Sequence, residues 1–576
     1  MPVPFAGQAP HENEPAPYIV KDFDVCVIGS GAGASPMAYT LAKRGYEVLV
    51  LEKGPWFTDD DFTKDELACC LRDTYLSNPV AEPQMLETEN EQGKWQSGNA
   101  GTIFRNGNCV GGATNFMSGF FYRLKPVDFH LLSEFGPIEG ADVVDWPITY
   151  QDLEPYYTQV EREVGVSGRV TRHPHTEPRS TPDFPYPATT EHPIAGMLDK
   201  SCGELGFHSL PIPRAILPYP AMGRGGCAYN GGLCGSTGCS TGAKGSGRVA
   251  LLHRAVASGH CRIYSRHMVT RLLSDAKGRV TSAEYRDARG ETGRVTAKVF
   301  VVACQAIETA RLLLLSTGPR YPDGLANGSG LVGKNLLFAG GGAGSGRLPL
   351  EKFTPDQRQT LRDTKTFINR ALQDWYVIDD ADLGPRQKGG TIDFIPIHPN
   401  PVGRANRQLQ GNDGLAWGKA LKRKLESHFL RGPFVKIEAF CDWLPNPNCH
   451  VRLDPEIRDR WGLPVARIRA GFHRHNLRIG WYLAAKGAQV LRKMGAENVV
   501  SFASGAPPGN LQAGTCRFGK DPEKSVLDPE CRAHQAENLF VTDGSFMPTA
   551  GSAPYTWTIY ANAFRVAECI ARQLGG

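Results

Sequence analysis

The stretch "FDVCVIGSGAGASPMAYTLAKRGYEVLVLEKG", residues 23–54, constrains the fold more than any other part of the chain. Phe23 to Ile28 is an apolar run of strand length, a glycine-rich turn follows, a helix-forming run reaches about Arg44, and a second apolar run from Glu47 to Leu51 ends in Glu52. Strand, turn, helix and strand in that order make a βαβ unit, the seed of a parallel sheet. The turn fits G-x-G-x-x-A through Gly29, Gly31 and Ala34, with Gly33 also inside it, and Glu52 stands about 20 positions downstream. Gly29 permits the tight turn, and Gly31 lets the backbone approach a pyrophosphate. The helix start offers that phosphate unsatisfied N–H groups and the positive end of its dipole. Glu52 is placed to accept from ribose hydroxyls. A glycine turn without a ligand is the competing reading, and the register of all five features favours a dinucleotide site.

At 576 residues the chain is too long for a single compact core and has the bulk to bury a large cofactor. A net charge of +5 is mild and the Lys and Arg are spread along the sequence, which argues against nucleic acid as a partner. The N-terminal residues show no apolar or twin-arginine export pattern, and no run approaches the roughly 18 apolar residues of a membrane span. Cytoplasmic residence is the simple expectation. Most of the 15 cysteines stand singly in apolar contexts such as "DVCVIG" and "VVACQAI", as buried thiols of a reducing compartment do.

A Pro-rich tail over residues 1–17 reads as disordered or surface-draped. Beyond the βαβ unit, "QDLEPYYTQVEREVGV" reads as a helix and "KVFVVACQAIETARLLLLS" as a strand leading into a helix. "GGTIDFIPIHP" and "PFVKIEAFCDWLPN" alternate as strands of a mostly antiparallel sheet. Five segments, "VIGSGAGAS", "GNCVGGATNFMSG", "VVACQAIETARLLLLS", "LPNPNCHVRLDPEIRDRWGLP" and "GTCRFGKDPEKSVLDPECRAHQAENLFVTDGSFMPT", occur in one order along nearly the whole chain. In them the sequence resembles the glucose–methanol–choline (GMC) oxidoreductases, and among these the FAD subunit of bacterial sugar and gluconate dehydrogenases.

The resemblance implies an α/β fold: a doubly wound, Rossmann-like FAD-binding domain with a mainly antiparallel-sheet substrate domain of α+β character. We expect the FAD domain over 18–150, 245–345 and 505–576, a connector with the cysteine segment over 151–244, and the substrate domain over 346–504. Gly111 and Gly112 sit in a loop suited to close approach to an isoalloxazine, and Asp543 and Gly544 end a strand where α/β ligands bind. Asn115 and Ser118 occupy the stretch where some family members attach flavin through a histidine. With no histidine there, noncovalent FAD is expected.

Alcohol oxidation by a flavin needs a base near the substrate hydroxyl. The family usually supplies a histidine three residues before the glycine of "GT", paired with histidine or asparagine after "PT"; here Leu511 stands at the first place, and Pro554 and Tyr555 at the second. Asn510 or Gln512 could reach the flavin after a small shift, although amides are very poor bases. Tyr555 is a possible acid or base if its pKa falls by several units. His398, His473 and His475 are histidines of the substrate domain that could supply the base instead. A further reading keeps the flavin but replaces alcohol oxidation by lyase or other non-redox chemistry.

"CAYNGGLCGSTGC" sets Cys227, Cys234 and Cys239 among glycines ahead of "GAK". In some relatives such a segment holds an iron–sulfur cluster. Three thiolates suffice for a [3Fe-4S] cluster, whereas relatives often carry a further cysteine near the place of Asn230. A vestigial free-thiol loop, a disulfide and a zinc ion are the other readings. The resemblance implies a sugar, glycoside or polyol substrate and electron delivery to an external acceptor, with a family-type oxidase making peroxide as the alternative. It further implies a small signal-bearing subunit and a cytochrome or quinone acceptor, so co-export to the periplasm stands beside cytoplasmic residence.

Overall fold

A computed structural model of the protein describes residues 22–575 apart from 64, 67–72, 91, 105, 229–237, 364–366, 398–400 and 412–413. The opening unit forms as its sequence dictates: strand β1 (Phe23–Ile28), helix α1 (Ser35–Lys43) and strand β2 (Val48–Leu51). β1 is apolar on both faces because it lies in the middle of a sheet, paired in parallel with β2 on one side and with the Thr292–Val302 strand on the other. The Ala536–Val541 and Cys261–Tyr264 strands extend this parallel sheet outward, each also in parallel. The helix Thr556–Gly575 packs against α1. Buried contacts of this kind explain why continuous apolar runs, not alternating ones, code for these strands.

A second, eleven-stranded sheet is mainly antiparallel and faces the first across a cavity. Its long Lys334–Arg347 strand pairs with Phe434–Asp442, which pairs in turn with Gly390–Pro396. Along Phe434–Asp442, Val435, Ile437, Ala439 and Cys441 point to a core closed by the helix Arg474–Lys493. The alternate residues Glu438 and Phe440 line the cavity. Period-two patterning thus sorts this strand into a structural face and a ligand face.

This sheet recruits segments remote from residues 346–504. Met85–Glu89 pairs in parallel with Pro464–Ala470, Ser209–Pro211 joins at the far edge, and Gln512–Thr515 pairs with Lys334–Arg347. No helix among the described residues is long and apolar enough to cross a membrane.

Candidate active site

One cavity of about 590 Å³ runs from the carboxyl ends of the parallel strands to the ligand face of the second sheet. At its first end lie the turn residues Gly29, Gly31 and Gly33. Gly29 has φ +94°, and a Cβ there would fall 2.3 Å from the Ala303 carbonyl oxygen, so the turn and the neighbouring strand both require glycine. Around Gly31 the reverse holds: a Cβ would meet nothing within 4 Å and would project into open space. A Cβ on Gly33 would lie 2.5 Å from the Thr542 carbonyl oxygen, which is the close strand–helix approach the fingerprint's glycines allow. Ala34 is fully buried behind the turn, and its side chain leaves the start of α1 uncapped.

Glu52 lines the cavity with its carboxylate accepting from Ser30 Oγ at 2.6 Å and from the Gly54 amide at 2.9 Å. Burial pushes its carboxyl above the usual carboxylate range, against those two hydrogen bonds. Ser30 Oγ also accepts from the Gly111 amide at 3.0 Å, so one hydroxyl ties the first turn to the 109–115 loop. Gly112 and Ser118 line the cavity, whereas Gly111 and Asn115 stand one layer back. Asn115 Nδ2 donates to the Val110 and Gly112 carbonyls at 2.9 and 3.1 Å, which makes it a positioning residue for the loop. Asp543 and Gly544 also line the cavity. The Asp543 carboxylate accepts from Thr309 Oγ1 at 2.5 Å and from the Gln305 and Ser545 amides at 3.0 and 2.8 Å.

Sequence reasoning missed much of this end. Lys53 pairs with Glu82 at 2.9 Å and Arg311 with Asp459 at 2.5 Å, all four lining the cavity. His267 also lines it; Nδ1 donates to the Ser265 carbonyl at 2.6 Å, which leaves Nε2 as a buried acceptor with no partner among the described residues. An open cradle at Gly31, a buried acid after β2 and an orphaned ring nitrogen are the donor and acceptor set that an adenine dinucleotide satisfies.

At the other end, Asn510, Leu511, Gln512, Pro554 and Tyr555 all line the cavity. Leu511 holds a left-handed φ of +58°, an uncommon backbone state for a branched side chain that marks constrained sites. Tyr555 is fully buried and donates its hydroxyl to the Leu511 carbonyl. Burial pushes that phenol well above its ordinary range, opposite to what a base requires. Gln512 is held at both ends of its amide, accepting from Gln305 Nε2 at 2.6 Å and donating to the Gly509 carbonyl at 3.2 Å. Asn510 is exposed on the wall.

His473 and His475 do not line the cavity; His473 caps the Arg474–Lys493 helix and contacts the Glu139 carbonyl. His398 lies outside the described residues.

Glu438 is the ionisable side chain that the second sheet's central strands bring to the cavity, with Lys436 Nζ at 3.2 Å. Directly across the register is Asp393, fully buried, accepting from Tyr122 at 2.6 Å on Oδ1, while Oδ2 has no hydrogen-bond partner among the described residues. Burial, with the Glu438 charge adding to it, pushes the Asp393 carboxyl up to about 7, against Tyr122 and Arg214. A strongly perturbed acid beside a cleft marks a functional site, as Asp393 does here, and neither Asp393 nor Glu438 carries a sequence motif.

Of the cysteine segment, Cys227 and Cys239 pack on one small apolar cluster of Ile216, Ala243 and Phe367, and Cys234 lies outside the described residues. Burial opposes ionisation of Cys239. The Lys244 charge and the hydroxyl and amide donors of Thr241 and Lys244 outweigh it and hold the thiol below its ordinary range.

Replacing Tyr555 by Phe is expected to leave the pH profile of turnover unchanged and to cost about 1 kcal/mol of stability through the lost hydrogen bond. Thermal unfolding and a pH–rate series check this. A base role for Tyr555 would instead lower turnover strongly and remove the limb on which activity rises with pH.

Two models of GMC oxidoreductases match residues 186–338 and 445–563, and a model of NAD(P)-binding Rossmann-like domains matches residues 27–57. The chain belongs to the GMC oxidoreductase family, and the cofactor its cavity fits is FAD. It is 33% identical to paromamine 6'-oxidase of Streptomyces fradiae, over 96% of this chain and 92% of the relative. It is 30% identical to 2-methyl-1,2-propanediol dehydrogenase of Mycolicibacterium austroafricanum, over 96% and 95%, and 28% identical to the fructose dehydrogenase large subunit of Gluconobacter japonicus, over 96% and 98%. A variant of formate oxidase from Aspergillus oryzae superposes with a TM-score of 0.65 at 15% identity, over 96% of this chain and 98% of that one. The protein is an oxidoreductase of alcohol groups, as its family is.

Proposed function

We propose that the protein is a dehydrogenase with noncovalently bound FAD that oxidises an alcohol carbon of a sugar, glycoside or polyol and passes the electrons to an external acceptor. The observation that carries this reading is the single cavity joining the dinucleotide turn at Gly29–Gly33 to a sheet face bearing Phe440 and Glu438. Relatives named for paromamine, 2-methyl-1,2-propanediol and fructose support a polyhydroxylated substrate. The absence of histidine from "GNCVGGATNFMSG" supports noncovalent flavin.

The bound flavin supplies a two-electron acceptor for the hydride of the alcohol carbon. The chain's own residues do the rest. Phe440, Phe502 and Met117 give the substrate an apolar wall and exclude water. Asn510 and Gln512 orient the hydroxyl, Gln512 with the precision its two anchored amide ends provide. Glu438, backed by Asp393, takes the hydroxyl proton that the family's histidine takes elsewhere.

An oxidase is the second reading, favoured by the relative named paromamine 6'-oxidase. Turnover of a sugar, amino-sugar and polyol panel in air separates the two. Carbonyl product with little peroxide, accelerated by an artificial acceptor, is the expected result; stoichiometric peroxide assigns the oxidase.

An iron–sulfur site at Cys227, Cys234 and Cys239 is the finer part of the proposal. The convergence of Cys227 and Cys239 on one cluster and the lowered Cys239 thiol support it. Iron and acid-labile sulfide are expected in protein purified without oxygen, and Cys234→Ser is expected to lose both while keeping its flavin. Flavin without iron in the wild type contradicts the relay and leaves the alcohol chemistry standing. A small subunit with a cytochrome or quinone acceptor is the partner set this reading calls for, in the cytoplasm or co-exported to the periplasm.

A further inference from the structure

Residues 401–431 supply an arm on the second sheet's side of the molecule: a helix over Pro401–Gln408, the paired strands Gln410–Gly411 and Gly414–Leu415, and a helix over Gly418–Leu430. Neither helix has a buried residue. The arm is fixed at its base by the Glu66 carboxylate, which accepts from the Val402 and Gly403 amides at 2.8 and 2.7 Å. The two helices meet through Arg404, which lies 5.0 Å above the Phe429 ring and donates from Nε to His428 Nε2 at 3.1 Å.

Charge and apolar exposure coincide here. Seven Lys and Arg stand against Asp413 and Glu426, a net +5 that equals the formal net charge of the whole chain. The positive charge that looks scattered along the sequence is therefore unbalanced in one 31-residue element. Interleaved with it are Trp417, 82% exposed, Leu415 at 69% and Leu430 at 67%, at the two ends of the second helix. Lys422, Arg423 and Lys424 lie exposed between those ends.

A single exposed leucine is ordinary, but Trp417, Leu415 and Leu430 put three large exposed apolar side chains on one short arm. A protein interface core depletes lysine. Exposed Trp and Leu beside Lys and Arg match one occupant, the interface of a bilayer with anionic headgroups. There, rings and leucines enter the headgroup–acyl boundary, and cations meet phosphates. We propose that the 401–431 arm docks the enzyme peripherally on membranes bearing anionic lipid, through Trp417 and Leu430 with the Lys422–Lys424 cluster.

The test is co-sedimentation of the flavin-loaded protein with vesicles of phosphatidylcholine alone and of phosphatidylcholine mixed with phosphatidylglycerol. Binding to the mixed vesicles about tenfold or more above the neutral ones, weakened by salt, is expected. Two variants, Trp417→Ser with Leu430→Ser and Lys422→Glu with Lys424→Glu, are each expected to lose about tenfold in binding while keeping wild-type flavin content and turnover of soluble substrate. Equal binding to both vesicle types, no binding to either, or variants that bind like the wild type overturns the proposal. Self-association of the wild type that the same variants abolish, without vesicle binding, assigns the arm to a second copy and overturns it equally.

Discussion

Gly31→Val is expected to yield a folded protein that has lost its flavin. A Cβ at Gly31 meets no protein atom within 4 Å and projects into the cavity where the turn faces the cofactor. The substitution therefore costs the fold little and removes the space in which the backbone approaches the pyrophosphate. Gly33→Val makes the contrast, because its side chain collides with the Thr542 and Asp543 backbone at 2.5 to 2.6 Å. Neither strand nor helix can withdraw without unpacking α1, so that variant is expected to lose several kcal/mol of stability along with flavin. Flavin absorbance after gel filtration, with far-ultraviolet circular dichroism and thermal unfolding, reads both. Retained flavin in Gly31→Val would place the cofactor elsewhere.

Glu438→Gln is expected to lower kcat by about 10²- to 10⁴-fold, the range for losing a positioned general base, with flavin content unchanged. Leu511 and Pro554 occupy the positions that usually carry the family's pair, Tyr555 keeps its proton, and amides do not accept one usefully. Glu438 with Asp393 behind it is the carboxylate pair that faces the substrate end. Because Asp393 titrates near 7, the pair loses base function as the pH falls below that value, so kcat is expected to rise through neutrality and to flatten above it. Asp393→Asn is expected to remove that limb, because it removes the carboxyl that burial pushes up to about 7.

The stability sign follows from the same group. Its folded pKa lies above the ordinary carboxylate value, so the wild type loses folding free energy as pH rises from about 4 to 7. Asp393→Asn escapes that loss and is expected to be relatively more stable above neutrality. A pH–rate profile of Glu438→Gln superimposing on the wild type would sink the assignment.

The dinucleotide end was legible because its signals are local. The strand limits of β1, the turn glycines and Glu52 sit within 30 residues, and each follows from turn chemistry or apolar run length. Ser30 is inside the same motif, yet its link to residue 111 spans 81 positions and appears only in the fold. Asn115 fell in the expected stretch but serves the loop, because a motif position does not state whether a side chain turns toward the ligand or toward its own backbone.

The substrate end was not legible, for reasons of register. Glu438 and Asp393 become neighbours only when Phe434–Asp442 and Gly390–Pro396 pair, 45 positions apart. The recruitment of Met85–Glu89 and Ser209–Pro211 into the same sheet rests on equally remote pairing. Local propensity carries no information about partners at that distance.

The central claim is that the cavity oxidises an alcohol on its flavin, and anaerobic mixing of the flavin-loaded protein with a sugar, amino-sugar and polyol panel tests it most directly. Bleaching of the oxidised-flavin band by at least one member, with one carbonyl formed per flavin reduced and colour restored by an added electron acceptor, is the predicted result. A full flavin complement that no member of the panel reduces, while one of them is cleaved or isomerised without net oxidation, would contradict it.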